Sequence, residues 1–301
     1  MKKYAALCCY FGKWPNYFQF WLTSCVYNPG IDFFFVTDID TKQYTIPNNV
    51  KFIKKSFDEL KLLIHQKFNN LTHKGGGVFL DRPYKLCDFK TAYGYIFEDI
   101  FKHYEYWGFF DIDTIWGDIL SFIPNNESNK WLKIFPCGHL SFIRNTEPYN
   151  KAFELVNGKG LVTWEEAFTT PQSHYFDEHG GFSPLFKSDE LINFYYRKVD
   201  FDNICPPKYT KWRNFQSINF PEKSHFLVYK YKEGHLYRNY LKGCKVIEEE
   251  ISYLHISQRK MNILLPDNSN RFIIYPNEFN EYQELSILKI INIGRPRFFS
   301  I

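Results

Sequence analysis

The apolar positions of this chain change period several times, and the changes mark out its elements. Residues 4–11, YAALCCYF, form a continuous apolar run of strand length, which suits a strand buried on both faces. Gly12-Lys13-Trp14-Pro15 turns the chain, and Pro15 fits the first turn of a helix. Residues 16–27, NYFQFWLTSCVY, repeat apolar side chains at helical spacing until Asn28-Pro29-Gly30 stops them. IDFFFV at 31–36 predicts a second strand and VKFIKKS at 50–56 a third. FDELKLLIHQKF at 57–68 predicts an amphipathic helix. The loop through Gly75-Gly76-Gly77 lacks the Lys-Ser/Thr of a P-loop. From about Asp88 to Phe101 a helical face returns, with Phe89, Ala92, Tyr93, Ile96, Phe97 and Ile100 on one side. Tyr106–Phe110 is again a buried-strand pattern. Beyond it, 130–145 reads as two strands broken at Pro136-Cys137-Gly138, 149–156 as a helix, and Trp164 opens a short helical stretch. Residues 226–241 read as a hairpin turning at Glu233-Gly234. Strands interleaved with helices define an α/β class, with ligands expected at the carboxyl ends of the strands.

The richest stretch for chemistry is GFFDIDTIWGDI, 108–119. Alternate residues of a strand point the same way, so Asp111 and Asp113 can share a face where the strand ends. Carboxylates there need compensation. A hard divalent cation provides it, and a polar turn in water provides it equally well. Lys13 and Asp38 sit just past predicted strand ends, in reach of a nucleotide or simply of solvent. Lys85, Asp88 and Lys90 cluster at a predicted helix start, which suits a phosphate or a solvated cap. Asp177 and Glu178 precede Gly180-Gly181, a turn that lets backbone approach a ligand. His174 and His179 flank that pair without the spacing of a zinc motif. His255 ends an apolar run and precedes Arg259-Lys260. Trp116 fits either a sugar face or the core. Residues 284–299 predict a short helix followed by Arg295 and Arg297, packing on the domain or touching an anionic membrane surface.

Bulk properties narrow the classes. The 301 residues are 45% hydrophobic and 23% charged, as in a globular protein. Aromatic residues make up 20%, enough to fill a core with rings and line a cleft as well. A net charge of +4 argues against a dedicated nucleic-acid binder. No apolar window reaches the roughly 18 residues of a membrane span. The MKKYAALCCYFGKW start is too short and aromatic for a signal peptide. Seven cysteines without a C-x-x-C pair fit reduced, cytoplasmic thiols.

The ordered set YFGKWPNYFQFWLTS, FFFVTD, YKLCDFKTAYG, WGFFDIDTIWGDI, FDEHGG and YLHISQRK spans residues 10–260. It resembles nucleotide-sugar-dependent glycosyltransferases of the GT-A fold, and more narrowly a bacterial family found with capsule and O-antigen synthesis. The resemblance implies a nucleotide-sugar-binding half at 1–120, an acceptor-binding and catalytic half at 121–265, and a C-terminal tail at 266–301. It implies Mn²⁺ or Mg²⁺ on Asp111, Asp113 and His255. Donor contacts would come from Tyr10, Gly12, Lys13, Asp38, Lys85, Asp88, Lys90, Asp111, Ile112 and Lys260. Asp177 or Glu178 would be the base of an inverting transfer. The implied donor is a nucleoside-diphosphate hexose, with galactose and UDP foremost, and the acceptor a glycan or a lipid-linked oligosaccharide. Two other classes stay open. A sugar nucleotidyltransferase also uses paired carboxylates, but Gly12-Lys13-Trp14-Pro15 poorly matches its Gly-rich loop. A non-catalytic carbohydrate-binding protein explains the aromatics but not the Asp-Asp-His set.

Overall fold

The computed structural model describes residues 3–69, 77–123, 131–156, 162–178, 181, 194–195, 201–204, 226–257, 259–275 and 277–293. Parallel strands β1 (Tyr4–Cys9), β2 (Ile31–Thr37), β3 (Val50–Lys54) and β4 (Tyr106–Phe110) form half of a seven-stranded sheet. On the far side of β4, β7 (Leu140–Arg144) runs antiparallel to both β4 and β6 (Lys133–Cys137). The short strand β8 (Phe194–Tyr195) lies parallel to β6 at the edge. The order is β3-β2-β1-β4-β7-β6-β8. The chain therefore runs outward from β1 to β3 and returns on the other side of β1. That reversal opens a crevice at the carboxyl ends of β1 and β4. The sheet is mixed and the class α/β.

The continuous apolar runs are strands covered on both faces: every residue of β2 and β4 is buried. Asp32 in β2 is tolerated because Lys51 Nζ and the Tyr104 hydroxyl both donate to its Oδ2, at 3.1 and 2.6 Å. One face packs against helix α2 (Phe57–Phe68) and the short helices at 86–101 and 164–169. Ser56 and Glu59 close a capping box at the start of α2. The other face packs against α1 (Phe18–Val26), whose Phe18 and Trp21 meet Phe35, while Trp21 also stacks on Phe110. α1 shows little polar face because a second sheet lies behind it. Its Phe20, with Tyr17 just before the helix, packs on Phe272 and Phe279 there. Trp116 is fully buried among these rings and faces no cleft.

The smallest sheet joins β5 (Thr114–Trp116), β9 (Phe201–Asn203) and β13 (Tyr253–His255), with β13 in the middle. The second sheet has six strands: β10 (Val228–Lys232), β11 (His235–Lys242), β12 (Lys245–Ile251), β14 (Asn262–Ile263), β15 (Arg271–Tyr275) and β16 (Glu278–Glu281). The β10–β11 hairpin turns at Glu233 and Gly234, both at positive φ, 49° and 93°, as a tight two-residue turn requires.

Two sequence expectations change. Residues 266–281 are not a tail: β15 and β16 pair with each other, and β15 pairs with β10. The first sheet runs through both expected halves, since β4 pairs directly with β7. The single helix expected from Asp88 to Phe101 is a chain of short turns, Leu86–Phe89, Lys90–Ala92, Tyr93–Ile96 and Glu98–Phe101. It tightens at Lys90, whose ammonium is drawn inward to the sheet, and Gly94 lies flat against Trp107. The C-terminal helix, Ile287–Ile293, buries Ile290 and leaves Leu288 74% exposed; Arg295 and Arg297 lie outside the described residues. Among the described residues no helix is long and apolar enough to cross a membrane.

Gly108 sits where β4 meets β7, and a Cβ there would lie 2.2 Å from the Ser141 carbonyl oxygen. Gly108→Ala should destabilise the fold by about 1–3 kcal/mol in urea denaturation, the usual cost of overpacking. Gly77→Ala, whose Cβ meets nothing closer than His65 at 3.4 Å, should stay within about 0.5 kcal/mol. Equal midpoints for the two variants would contradict this packing.

Candidate metal centre and acidic cleft

At the carboxyl end of β4, the Asp111 N–H still reaches the His139 carbonyl at 3.2 Å, and the Thr114 hydroxyl closes a turn on the Asp111 carbonyl at 2.8 Å. Ile112 points into the core, which leaves Asp111 and Asp113 on the other side. The chain continues as β5, and β5 pairs antiparallel with β13, setting His255 opposite Thr114. The Ile256 N–H donates to the Asp113 carbonyl at 2.7 Å. One ligand atom from each of Asp111, Asp113 and His255 thus comes within 4.8 Å of the others. His255 Nε2 lies 3.2 Å from Asp113 Oδ1. Burial pulls the His255 imidazole down, but Asp113 and Asp111 outweigh it, and the net shift is upward. Two carboxylate oxygens and one imidazole nitrogen make a donor set for a divalent cation. Bonds of about 2.1 Å put donor atoms up to about 4.2 Å apart, so small side-chain rotations close the set. The residues fit a divalent cation.

Lys90 joins this centre to the acidic loop. Its ammonium donates to Asp111 Oδ1 at 2.7 Å, Asp177 Oδ2 at 2.9 Å and the Gly138 carbonyl at 3.1 Å. Burial opposes its charge, but the two carboxylates raise its pKa well above the ordinary lysine value. Burial likewise pushes Asp177 up to about 7, with Glu178 and Asp111 adding to the shift and Lys90 opposing it. Asp111 is raised for the same reasons, burial first. Gly138 lies under this cluster: a Cβ there would meet Asp177 Oδ2 at 2.2 Å, and its N–H donates to Glu178 at 3.2 Å. Glu178 is partly exposed, whereas Asp177 is buried.

Lys85 and Asp88 face each other inside the protein. Both side chains are fully buried and paired at 2.8 Å. Lys85 also donates to the carbonyls of Ala167 and Gln172, and Asp88 accepts the N–H groups of His174 and Phe176 at 3.1 Å. The pair fixes the loop that carries Asp177. Both residues were expected at the donor; their charges are consumed inside the protein.

Tyr10, Gly12 and Lys13 follow β1. The Tyr10 hydroxyl donates to the Lys13 carbonyl at 2.8 Å, and its ring stacks on Trp14. Gly12, at φ 119°, adopts a backbone that side chains disfavour. Gly12, Lys13 and Trp14 line a cavity of about 390 Å³ together with Ile39, Asp40 and Tyr44. Asp38 is exposed beside it, at the end of β2. Lys260 is exposed too, next to buried Arg259, which donates to Asn277 at 3.0 Å. His179 and Gly180 lie outside the described residues.

Sequence reasoning missed His139. Its ring is fully buried, stacks on His255 at 4.5 Å and 20°, and finds no hydrogen-bond partner for either nitrogen among the described residues. Burial and the nearby charges of His255 and Lys90 hold it well below the usual histidine range, so it stays neutral. The turn at Gly138 was the available signal: a glycine between strands, followed by a lone histidine.

The chain belongs to a family of unknown function, DUF6625, which matches it over residues 6–283. No curated protein matches it. The matched span contains every residue of the centre and stops short of the C-terminal helix.

Asp113→Asn keeps the shape of the side chain and removes the charge that would hold a cation. Calorimetric titration with Mn²⁺ should show wild-type binding and at least about tenfold weaker binding by the variant, or about 1.4 kcal/mol. Unchanged affinity would remove Asp113 from the centre.

Proposed function

We propose that the protein transfers a sugar from a nucleoside-diphosphate sugar to the hydroxyl of a glycan or lipid-linked acceptor. The observation that carries this reading is the convergence of Asp111, Asp113 and His255 beside the crevice between β1 and β4. Open α/β sheets bind ligands at such a crevice. The cavity beyond β1 and β2 has room and lysines for a nucleotide, with Lys13 and Lys42 at its wall. Parallel strands followed by an antiparallel one, with the acidic pair between them, support a GT-A arrangement. Galactose carried by UDP remains the leading donor. Thiols that form no disulfide among the described residues suit a cytoplasmic enzyme of bacterial surface-polysaccharide synthesis.

Asp111, Asp113 and His255 would hold Mn²⁺ or Mg²⁺, which as a Lewis acid lowers the cost of charge on a departing diphosphate. The remaining roles belong to the chain. Lys90 holds Asp111 and Asp177 in one frame and keeps like charges from repelling. Asp177, raised to about 7, is matched to proton abstraction near neutral pH. It takes the acceptor hydroxyl proton as the new glycosidic bond forms at the anomeric carbon. The bond to the diphosphate breaks, its electron pair leaves with the phosphate oxygen, and the configuration inverts. Glu178, bonded to the Gly138 N–H, sits where it can orient the acceptor.

A thermal-shift screen of UDP-, GDP- and dTDP-sugars with Mn²⁺ should find a donor that raises the melting temperature only when metal is present. With that donor, turnover should rise with pH through about 7, because Asp177 must lose its proton to act. Asp177→Asn should lower turnover by about 10²- to 10⁴-fold and abolish that pH limb, while Glu178→Gln costs less. Lys90 keeps Asp111 and Gly138 in the variant, so the fold should persist. A product that retains the donor configuration would refute the base.

A further inference from the structure

Two partly exposed tyrosines beside the acidic loop take no part in the chemistry above. Tyr84 lies in the helical turn Pro83–Lys85, and Tyr175 lies two residues before Asp177. They are 48% and 43% exposed. Burial raises the Tyr84 phenol, and Cys87, Tyr175 and Asp111 add to the shift.

Both are fixed from beneath by one buried ion pair. Lys85, next to Tyr84, is bonded to Asp88. Asp88 in turn accepts the N–H groups on either side of Tyr175, those of His174 and Phe176. The Tyr175 carbonyl accepts the Glu178 N–H at 3.0 Å. Tyr175 itself is held at φ 51°, a left-handed backbone that a bulky residue rarely adopts. Its neighbour Phe176 is wholly buried against Phe168. The loop thus keeps this ring partly exposed at the cost of backbone strain.

The charges beside the pair narrow the occupant. Lys85 and Lys90 are committed to buried partners. Arg82 is held by Asp81 at 2.9 Å and by the Pro171 carbonyl at 2.9 Å. Asp177 and Glu178 make the cleft floor acidic. Among the described residues, the lysines and the arginine next to the pair are thus committed, which disfavours an anionic headgroup or phosphate. A neutral sugar ring suits the site, because a phenol offers an apolar face for C–H groups and a hydroxyl for hydrogen bonds in one rigid side chain.

We propose that Tyr84 and Tyr175 form the subsite that receives the sugar ring of the acceptor, presenting its hydroxyl to Asp177 and Glu178. The inference rests on the glycosyl-transfer reading for the direction of the chemistry, not for the binding itself.

The intact protein, with ring-labelled tyrosine, would be titrated with methyl β-glucopyranoside, methyl β-galactopyranoside and methyl N-acetyl-β-glucosaminide, without nucleotide. At least one should bind and shift the ring resonances of Tyr84 and Tyr175. Tyr84→Leu and Tyr175→Leu should each weaken it by about tenfold, and Tyr84→Phe only a few-fold because the ring remains. Under turnover the same Leu variants should raise the acceptor KM and leave the donor KM unchanged. The proposal is overturned if none of the three glycosides binds, if binding moves other tyrosines and not these, or if Leu variants that melt like the wild type bind undiminished. Sugar binding that needs both rings in a protein without transferase activity would defeat the transfer reading and keep this one. Transfer with an unaltered acceptor KM in both variants would do the reverse.

Discussion

One buried ammonium ties the cleft together. Lys90 has three N–H donors, and each has an acceptor: the carboxylates of Asp111 and Asp177 and the carbonyl of Gly138. Removing such a charge from water costs several kcal/mol unless partners replace its hydration in full. Here they do, and they come from the end of β4, the β6–β7 turn and the loop after residue 170. Lys85 repeats the pattern behind it, with Asp88, Ala167 and Gln172 as acceptors. Two satisfied lysines therefore hold the acidic loop against the sheet, and neither has a donor left over for a ligand.

Such a cluster persists only inside a rigid frame, and the aromatic residues build that frame. Phe33, Phe35, Phe110 and Trp116 form one layer under α1, with edge and stacked contacts between 5 and 6.2 Å. On the outer side of α1, Phe20 meets the rings of the second sheet. The helix serves as a shared wall between the two sheets. The polar network of the second sheet is built in the same way. Arg238 bonds buried Asp202 at 3.2 Å and Glu249 at 2.6 Å, and the Tyr229 hydroxyl donates to Asp202. Asp202 lies on β9 beside Leu254 of β13. This network therefore steadies the strand that delivers His255.

The electrostatics of the centre follow from this burial. Asp111, Asp113 and Asp177 are like charges, the last two in little water and Asp111 partly exposed, and desolvation raises Asp111 and Asp177. Lys90 offsets one part of that repulsion and His255 another. Proximity of carboxylates that the protein itself neutralises only in part is the physical basis for cation binding. His139, neutral and stacked on His255, adds a flat wall without adding charge.

The sequence by itself determined the elements whose signals are local. α2 begins and ends where its pattern predicts, and the first strands and the Glu233-Gly234 turn fall within a residue or two of their apolar runs and turn residues. Periodicity, caps and turn chemistry act over a few residues, so they are written in short stretches. The Asp-x-Asp alternation was likewise visible, because it needs only the period of a strand. Tertiary structure alone decided the rest. Residues 271–281 read as a tail until β10 supplies a pairing edge. Lys85 and Lys90 read as phosphate contacts or solvated lysines near a helix start until acceptors from some 80 residues away enclose them. His255 becomes a neighbour of Asp113 only through the β5–β13 pairing, across more than 140 residues. A charge goes inside when its partners arrive from other parts of the chain, and no local pattern records their arrival.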